Sequence, residues 1–127
     1  MNDYQKFLDI AWGDLEYAKV PISGRMRAAN SCYMAHQSAE KALKAYIIFL
    51  GEDPPWKHDL ELLLKRIKSL GIVVPSNVDL SVATLNPFGG VRYPGDDPEP
   101  DSSERTISID SAEIIVQWVE DCLYSRS

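Results

Sequence analysis

A chain of 127 residues, 45% hydrophobic and 25% charged, is long enough for one domain with a real core, needs neither disulfides nor metal to fold, and is not the composition of a disordered segment. Its formal net charge of −6 argues against broad nucleic-acid binding, which needs a basic surface. No apolar run reaches the roughly 18–20 residues that cross a bilayer, and the N-terminal MNDYQKFLDI carries no basic stretch followed by an apolar one, so a soluble cytoplasmic protein with no membrane association is expected.

Tyr4, Phe7, Leu8, Ala11, Trp12, Leu15 and Ala18 recur at helical spacing, with Asn2 or Asp3 as cap. Pro21 and Gly24 mark a turn. The spacing then predicts a long second helix from about Met26 to Leu50, stopped by Gly51. It has two apolar stripes: Ala29, Cys32, Tyr33, His36, Leu43 and Ile47, and beside it Ala35, Ala39, Ala42, Tyr46 and Phe49. Two stripes predict contact with two neighbours, hence a central position. Gln37, Lys41 and Lys44 fall on the remaining face, and Glu40 and Lys44 are spaced for an i,i+4 pair.

A loop holding Pro54, Pro55 and Trp56 follows. Asp59 is placed to cap a third helix, Leu60 to Leu70, ended by Gly71, and Ser76 to cap a fourth, Asn77 to Leu85. The stretch from Asn86 to Glu104 has no helical pattern, and loops of that length are usually functional or disordered. Its portion from Arg92 to Glu104 holds one base and five acids, and reads as a solvated loop or a partner-facing surface. From Lys41 to Lys68 there are six bases and four acids, so a local basic patch is compatible with the acidic whole. A last helix is expected to start near Asp110, where Asp110-x-x-Glu113 has the form of a capping box. Thr106 to Ile109 is the nearest approach to a strand pattern and is too short to carry a sheet. Short connections up to residue 76 favour antiparallel neighbours. The expectation is one all-α domain over 1–127, an antiparallel up-and-down bundle of about five helices with a long second helix.

Three polar clusters stand out: His36 to Ala45 on the second helix, Lys57-His58-Asp59-Leu60 after the loop, and Arg92-Tyr93-Pro94. Lys41 and Lys44 are suited to phosphate oxygens, or simply form a solvated face with Glu40. Arg92 can clamp a phosphate in two-pronged fashion, with Tyr93 or Trp56 stacking on a base, or it can pair with Glu40 or an acid of its own loop while Tyr93 and Pro94 pin that loop down. His58 beside Asp59 has the look of an acid–base pair, but Asp59 is wanted as a cap. His36 reads as a semi-buried histidine held by Glu40 one turn away. Cys32 and His36 are two groups and no third ligand is evident, so no metal is expected. Cys32 and Cys122 read as buried thiols in a reducing compartment.

Four motifs in order resemble the HEPN domain family: Asp14-Leu15-x-x-Ala18 on the first helix, AHQSAEKALKA on the second, Pro55-x-x-His58-Asp59-Leu60, and Arg92-Tyr93-Pro94. The resemblance spans roughly Tyr4 to Leu123. It implies a bundle of about five helices, commonly a homodimer, and a chain that binds a nucleotide or a partner, often beside a nucleotidyltransferase subunit in toxin–antitoxin pairs. On it, Gln37, Glu40, Lys41, Lys44, His58, Arg92 and Tyr93 are the candidate nucleotide- or partner-binding residues, with no cofactor, no metal and no catalytic residue. Family ribonucleases carry an arginine followed four to six residues later by histidine. The only histidines here are His36 and His58, and neither follows an arginine at that distance. The ribonuclease activity is therefore not carried over. The alternatives are a ribonuclease with a displaced site, using His58 as base and Arg92 as stabiliser, and a purely structural dimeric module.

Overall fold

The computed structural model describes residues 2–90 and 98–124. Five α-helices form an all-α antiparallel bundle: α1 (Asp3–Lys19), α2 (Ala28–Phe49), α3 (Leu60–Ser69), α4 (Ser76–Leu85) and α5 (Ser102–Leu123), with a 3-10 turn at Asn86–Phe88. None of them is long and apolar enough to cross a membrane.

Each helix end has a local cause. The Asn2 side chain accepts from the Gln5 backbone N–H, and the Gln5 side chain accepts from the Asn2 backbone N–H, so Asn2 rather than Asp3 caps α1. Asp59 Oδ1 accepts from the N–H groups of Glu61 (3.0 Å) and Leu62 (3.2 Å), the expected cap of α3. Gly51 and Gly71 take positive φ (85° and 91°) just past α2 and α3, which glycine does without steric cost. Ser76 is not a cap: Pro75 holds the N-cap position and Ser76 begins the helix.

The centre is α2, with α1 and α5 packed along it and α3 and α4 closing the far side. Ala35, Ala39, Ala42 and Ala45 are fully buried there, and short side chains let helices approach closely. At the α1–α2 contact the Ser38 hydroxyl donates to the Ala11 carbonyl at 2.7 Å. The alanine face is thus core. Leu8, Leu15, Leu43, Ile47, Leu60, Leu63, Ile67, Val82, Leu85, Ile115 and Val119 complete the core. Burying each stabilises by about 1.5–3 kcal/mol before entropy is counted. Phe49, placed on an apolar stripe by its spacing, is 41% exposed and meets Tyr4 edge-on.

The last helix differs most from expectation. It begins at Ser102, with Asp101 and Glu104 forming the capping box, and Asp110 lies inside it. At 22 residues α5 equals α2 in length, so the second helix is not longer than every other. In the acidic stretch before it, read as a solvated loop or a partner-facing surface, Glu99 makes structural contacts. Glu99 Oε1 accepts from the Ala29 N–H at the start of α2 (2.9 Å), and its Oε2 pairs with Arg27 (2.6 Å). Arg105 donates to the carbonyls of Ala18 and Val20 at the end of α1 and to the Ser31 hydroxyl. Side chains from one segment therefore satisfy the open ends of two helices.

Candidate functional site

Gly51 turns the chain out of α2, and the prolines at 54 and 55, each with φ held near −65°, carry it back along the same helix. That return brings His58 to Glu40. Glu40 is 1% exposed, and its two oxygens are both engaged. Nδ1 of His58 donates to Oε1 at 2.8 Å and the Lys44 ammonium donates to Oε2 at 3.0 Å. The i,i+4 pairing of Glu40 and Lys44 is present, but it does not form the solvated face that was one of the two readings, because both residues are buried. His36 was expected to be held by Glu40, but the carboxylate is taken by His58 and Lys44, and the His36 ring turns into the core.

The electrostatics follow from this packing. Burial pushes the Glu40 carboxyl up, but the hydrogen bonds from His58 and Lys44, and the Lys44 charge, outweigh it and hold the group below its ordinary 4.5. Burial drives His36 below 6.5 and keeps its ring neutral, Glu40 only partly opposing. Neither ring nitrogen of His36 meets a partner in good hydrogen-bond geometry among the described residues, although the Gln37 side chain lies near enough to oppose the lowering slightly. Asp14 on α1 is raised above 3.8, chiefly by burial, with Lys41 partly offsetting it.

A groove of about 480 Å³ opens over this carboxylate. Phe7, Ile48, Pro54, Pro55 and Trp56 give it apolar walls; Glu40, Lys41, Lys44 and His58 converge from one side and Asp3, Glu52 and Asp53 from the rim. Trp56 is 95% exposed, with the Lys44 ammonium 5.9 Å from its ring centroid. Glu52 is partnered by Arg66 at 3.4 Å. Lys44 is committed to Glu40, which leaves Lys41 as the lysine of the groove with no ion pair among the described residues.

Of the seven residues singled out by sequence, four meet here: Glu40, Lys41, Lys44 and His58. Gln37 does not line the groove; its Nε2 donates to the Tyr33 hydroxyl at 3.1 Å. Arg92 and Tyr93 lie outside the described residues, as does Pro94. Sequence reading left out the walls contributed by α1, Asp3 and Phe7; Phe7 was on the apolar stripe but nothing marked it as facing a groove. Among the described residues no group of three histidine, cysteine or carboxylate side chains is placed to hold a metal ion.

Residues 4–122 match the model of the HEPN domain. The chain belongs to the HEPN domain family. The HEPN fold here is similar to that of TT1696 from Thermus thermophilus, at 26% identity over 95% of this chain and 98% of that one, with a TM-score of 0.81. ST0689, an archaeal HEPN homologue, superposes with a TM-score of 0.76 at 24% identity, covering 97% of this chain and 99% of that one. An HEPN domain protein from Thermotoga maritima does so at 0.59 and 23% identity, covering 98% and 95%. At these identities the last two attest the fold alone. No curated protein matches the sequence.

Proposed function

We propose that this HEPN domain protein is a non-catalytic binding subunit that takes a nucleotide in the Trp56 groove. The observation that carries the reading is the exposed Trp56 indole beside a buried, fully engaged carboxylate: an apolar stacking platform with a few fixed polar groups. Sites for small ligands are concave and mostly apolar, with volumes of roughly 300–1,000 Å³, and this groove falls in that range. In this reading the base stacks on Trp56, the Lys41 ammonium meets a phosphate oxygen and His58 donates or accepts at the ligand's edge. Glu40 and Lys44 orient His58 and do not touch the ligand. The nucleotidyltransferase partner and the toxin–antitoxin setting implied by the family resemblance extend this proposal, as do a cytoplasmic location and a homodimer. For the homodimer, α1 offers Ile10 and Tyr17, 47% and 71% exposed.

A thermal-shift screen against nucleoside mono-, di- and triphosphates tests it. A ligand at 100 times its dissociation constant stabilises by about 2.7 kcal/mol. The expected result is a shift with one class of nucleotide that Lys41→Ala removes. A flat screen contradicts the reading and favours a structural module.

One observation favours a second reading. A buried carboxylate bonded to one nitrogen of an exposed imidazole is how a general base is oriented. His58 would then be the base of an RNA-cleaving site. RNA degradation by the wild type that His58→Ala abolishes supports it; RNA left intact after long incubation with concentrated protein removes it.

A further inference from the structure

A second groove is larger than the Trp56 groove. It lies on another face, where the start of α4 meets the outer side of α5, and has a volume of about 620 Å³. Its floor is apolar, built from Val78, Ile114 and Trp118 with Pro75 at one end. Its charged groups are the carboxylates of Asp110, Glu113 and Asp121, beside the neutral amides of Asn77 and Gln117. Among the described residues no lysine, arginine or histidine lines it. Lys19 reaches Glu113 from α1, at 2.8 Å. Gln117 donates to Asp121 at 2.9 Å, and Asp110 has no ion pair or hydrogen bond from a side chain among the described residues. Two carboxylates, Asp110 and Asp121, therefore stand beside an apolar floor with no cation among the described residues.

We infer that this groove docks a basic amphipathic helix of a partner protein, apolar side chains on Ile114 and Trp118 and Lys or Arg on Asp110 and Asp121. Three features select that occupant. The carboxylates at 110, 113 and 121 and the apolar residues at 114 and 118 share one face of α5, a strip of about 16 Å, which is the length of about three helical turns. A helix laid along that strip meets acid, apolar and acid in turn, so its own face must be basic, apolar and basic. A second copy of this chain is a poor occupant: the chain carries −6 overall, and on its most basic helix, α3, Arg66 and Lys68 are already paired with Glu52 and Asp79, which leaves Lys65 as the base of that helix with no ion pair among the described residues. The inference is independent of the nucleotide reading, because no residue lines both grooves.

The test uses the full chain, labelled with 15N, and a synthetic helical peptide of about fourteen residues with leucines on one face and arginines flanking them. The expected result is saturable binding, with amide shifts concentrated at Asn77, Val78 and 110–121. The double variant Asp110→Lys/Asp121→Lys is expected to weaken it by about tenfold or more, since opposed charges become like charges. Asp53→Lys, at the rim of the Trp56 groove, is expected to leave it unchanged. These are solvent-facing positions, and an unchanged amide spectrum of each variant without peptide shows that the fold is kept. A scrambled peptide of the same composition controls for bulk charge. Equal binding of the scrambled peptide, shifts centred elsewhere, an unaffected double variant, or no binding up to millimolar peptide each overturn the inference.

Discussion

Glu40 and His58 are eighteen residues apart in sequence and 2.8 Å apart in space, the carboxylate buried and the imidazole open to solvent. The bond ties the loop after α2 back onto α2. It also sets the shape of the groove, because Trp56 lies in the same loop two residues earlier.

Removing that carboxylate should be costly. Glu40→Ala leaves the Lys44 ammonium, 9% exposed as a side chain, without its partner. Breaking a buried pair on one side costs about 3–5 kcal/mol. The expected outcome is a loss in this range by urea unfolding, with Glu40→Ala/Lys44→Met recovering part of it. A single-variant loss below about 1 kcal/mol, the worth of an exposed pair, contradicts the buried arrangement.

The sequence placed Glu40 and Lys44 together, since i,i+4 spacing on a helix does so, but not the loop that buries them. It also placed His36 and Glu40 together, by the same spacing, and this failed because His36 points to the core. Periodicity reports which side chains share a face, not which of two neighbours a long-range partner will claim. The start of α5 was missed for a related reason. Asp101-x-x-Glu104 and Asp110-x-x-Glu113 are both capping-box patterns, and residues 102–109 hold only two large apolar side chains, Ile107 and Ile109. The first turns of α5 are held by Arg105 contacts to α1 and α2, which no local pattern reveals. The first four helices were legible because of their apolar stripes, reinforced at α2 by Gly51 and at α3 by Asp59 and Gly71.

Gly89 seals the His36 ring. A Cβ there would stand 2.7 Å from His36 Nε2 and 3.2 Å from the His58 carbonyl oxygen, although the φ of −75° suits any residue. Gly89→Ala is therefore expected to destabilise by about 1–3 kcal/mol through overpacking. Adding His36→Ala opens the space, so the double variant should be more stable than the sum of the single losses. Strict additivity in a thermal-unfolding cycle contradicts the contact.

His36 also sets an acid sensitivity. Its folded pKa is below the ordinary 6.5, so between the two values the unfolded chain binds the extra proton. Stability is fully present above 6.5 and falls as pH drops below it. Glu40, depressed from 4.5, adds loss of the same sign further down, while Asp14, raised from 3.8, opposes it there. Chemical unfolding at pH 7 and pH 5 should show the protein weaker at pH 5, and His36→Leu should flatten that difference. An equal pH dependence in His36→Leu assigns the effect to another group.

Glu99 is expected to act as a distant cap. Glu99→Ala takes an acceptor from the Ala29 N–H and a partner from Arg27. A lost cap costs about 0.5–2 kcal/mol. Hydrogen exchange should show the first turn of α2 opening more readily while the amides of α3 are unchanged; uniform loss of protection would mean that Glu99 acts on the whole fold instead.

The most direct test of nucleotide binding in the Trp56 groove is calorimetric titration of mononucleotides into the wild type and Trp56→Ala. Trp56 is 95% exposed, so its removal leaves the fold alone. Stacking on an aromatic ring contributes about 1–3 kcal/mol per base, which is roughly a fivefold to 150-fold change in affinity. Saturable heat is predicted with the wild type, and a loss of affinity in that range in Trp56→Ala. Absence of heat with every nucleotide, or equal affinity in both proteins, would contradict a nucleotide stacked on Trp56.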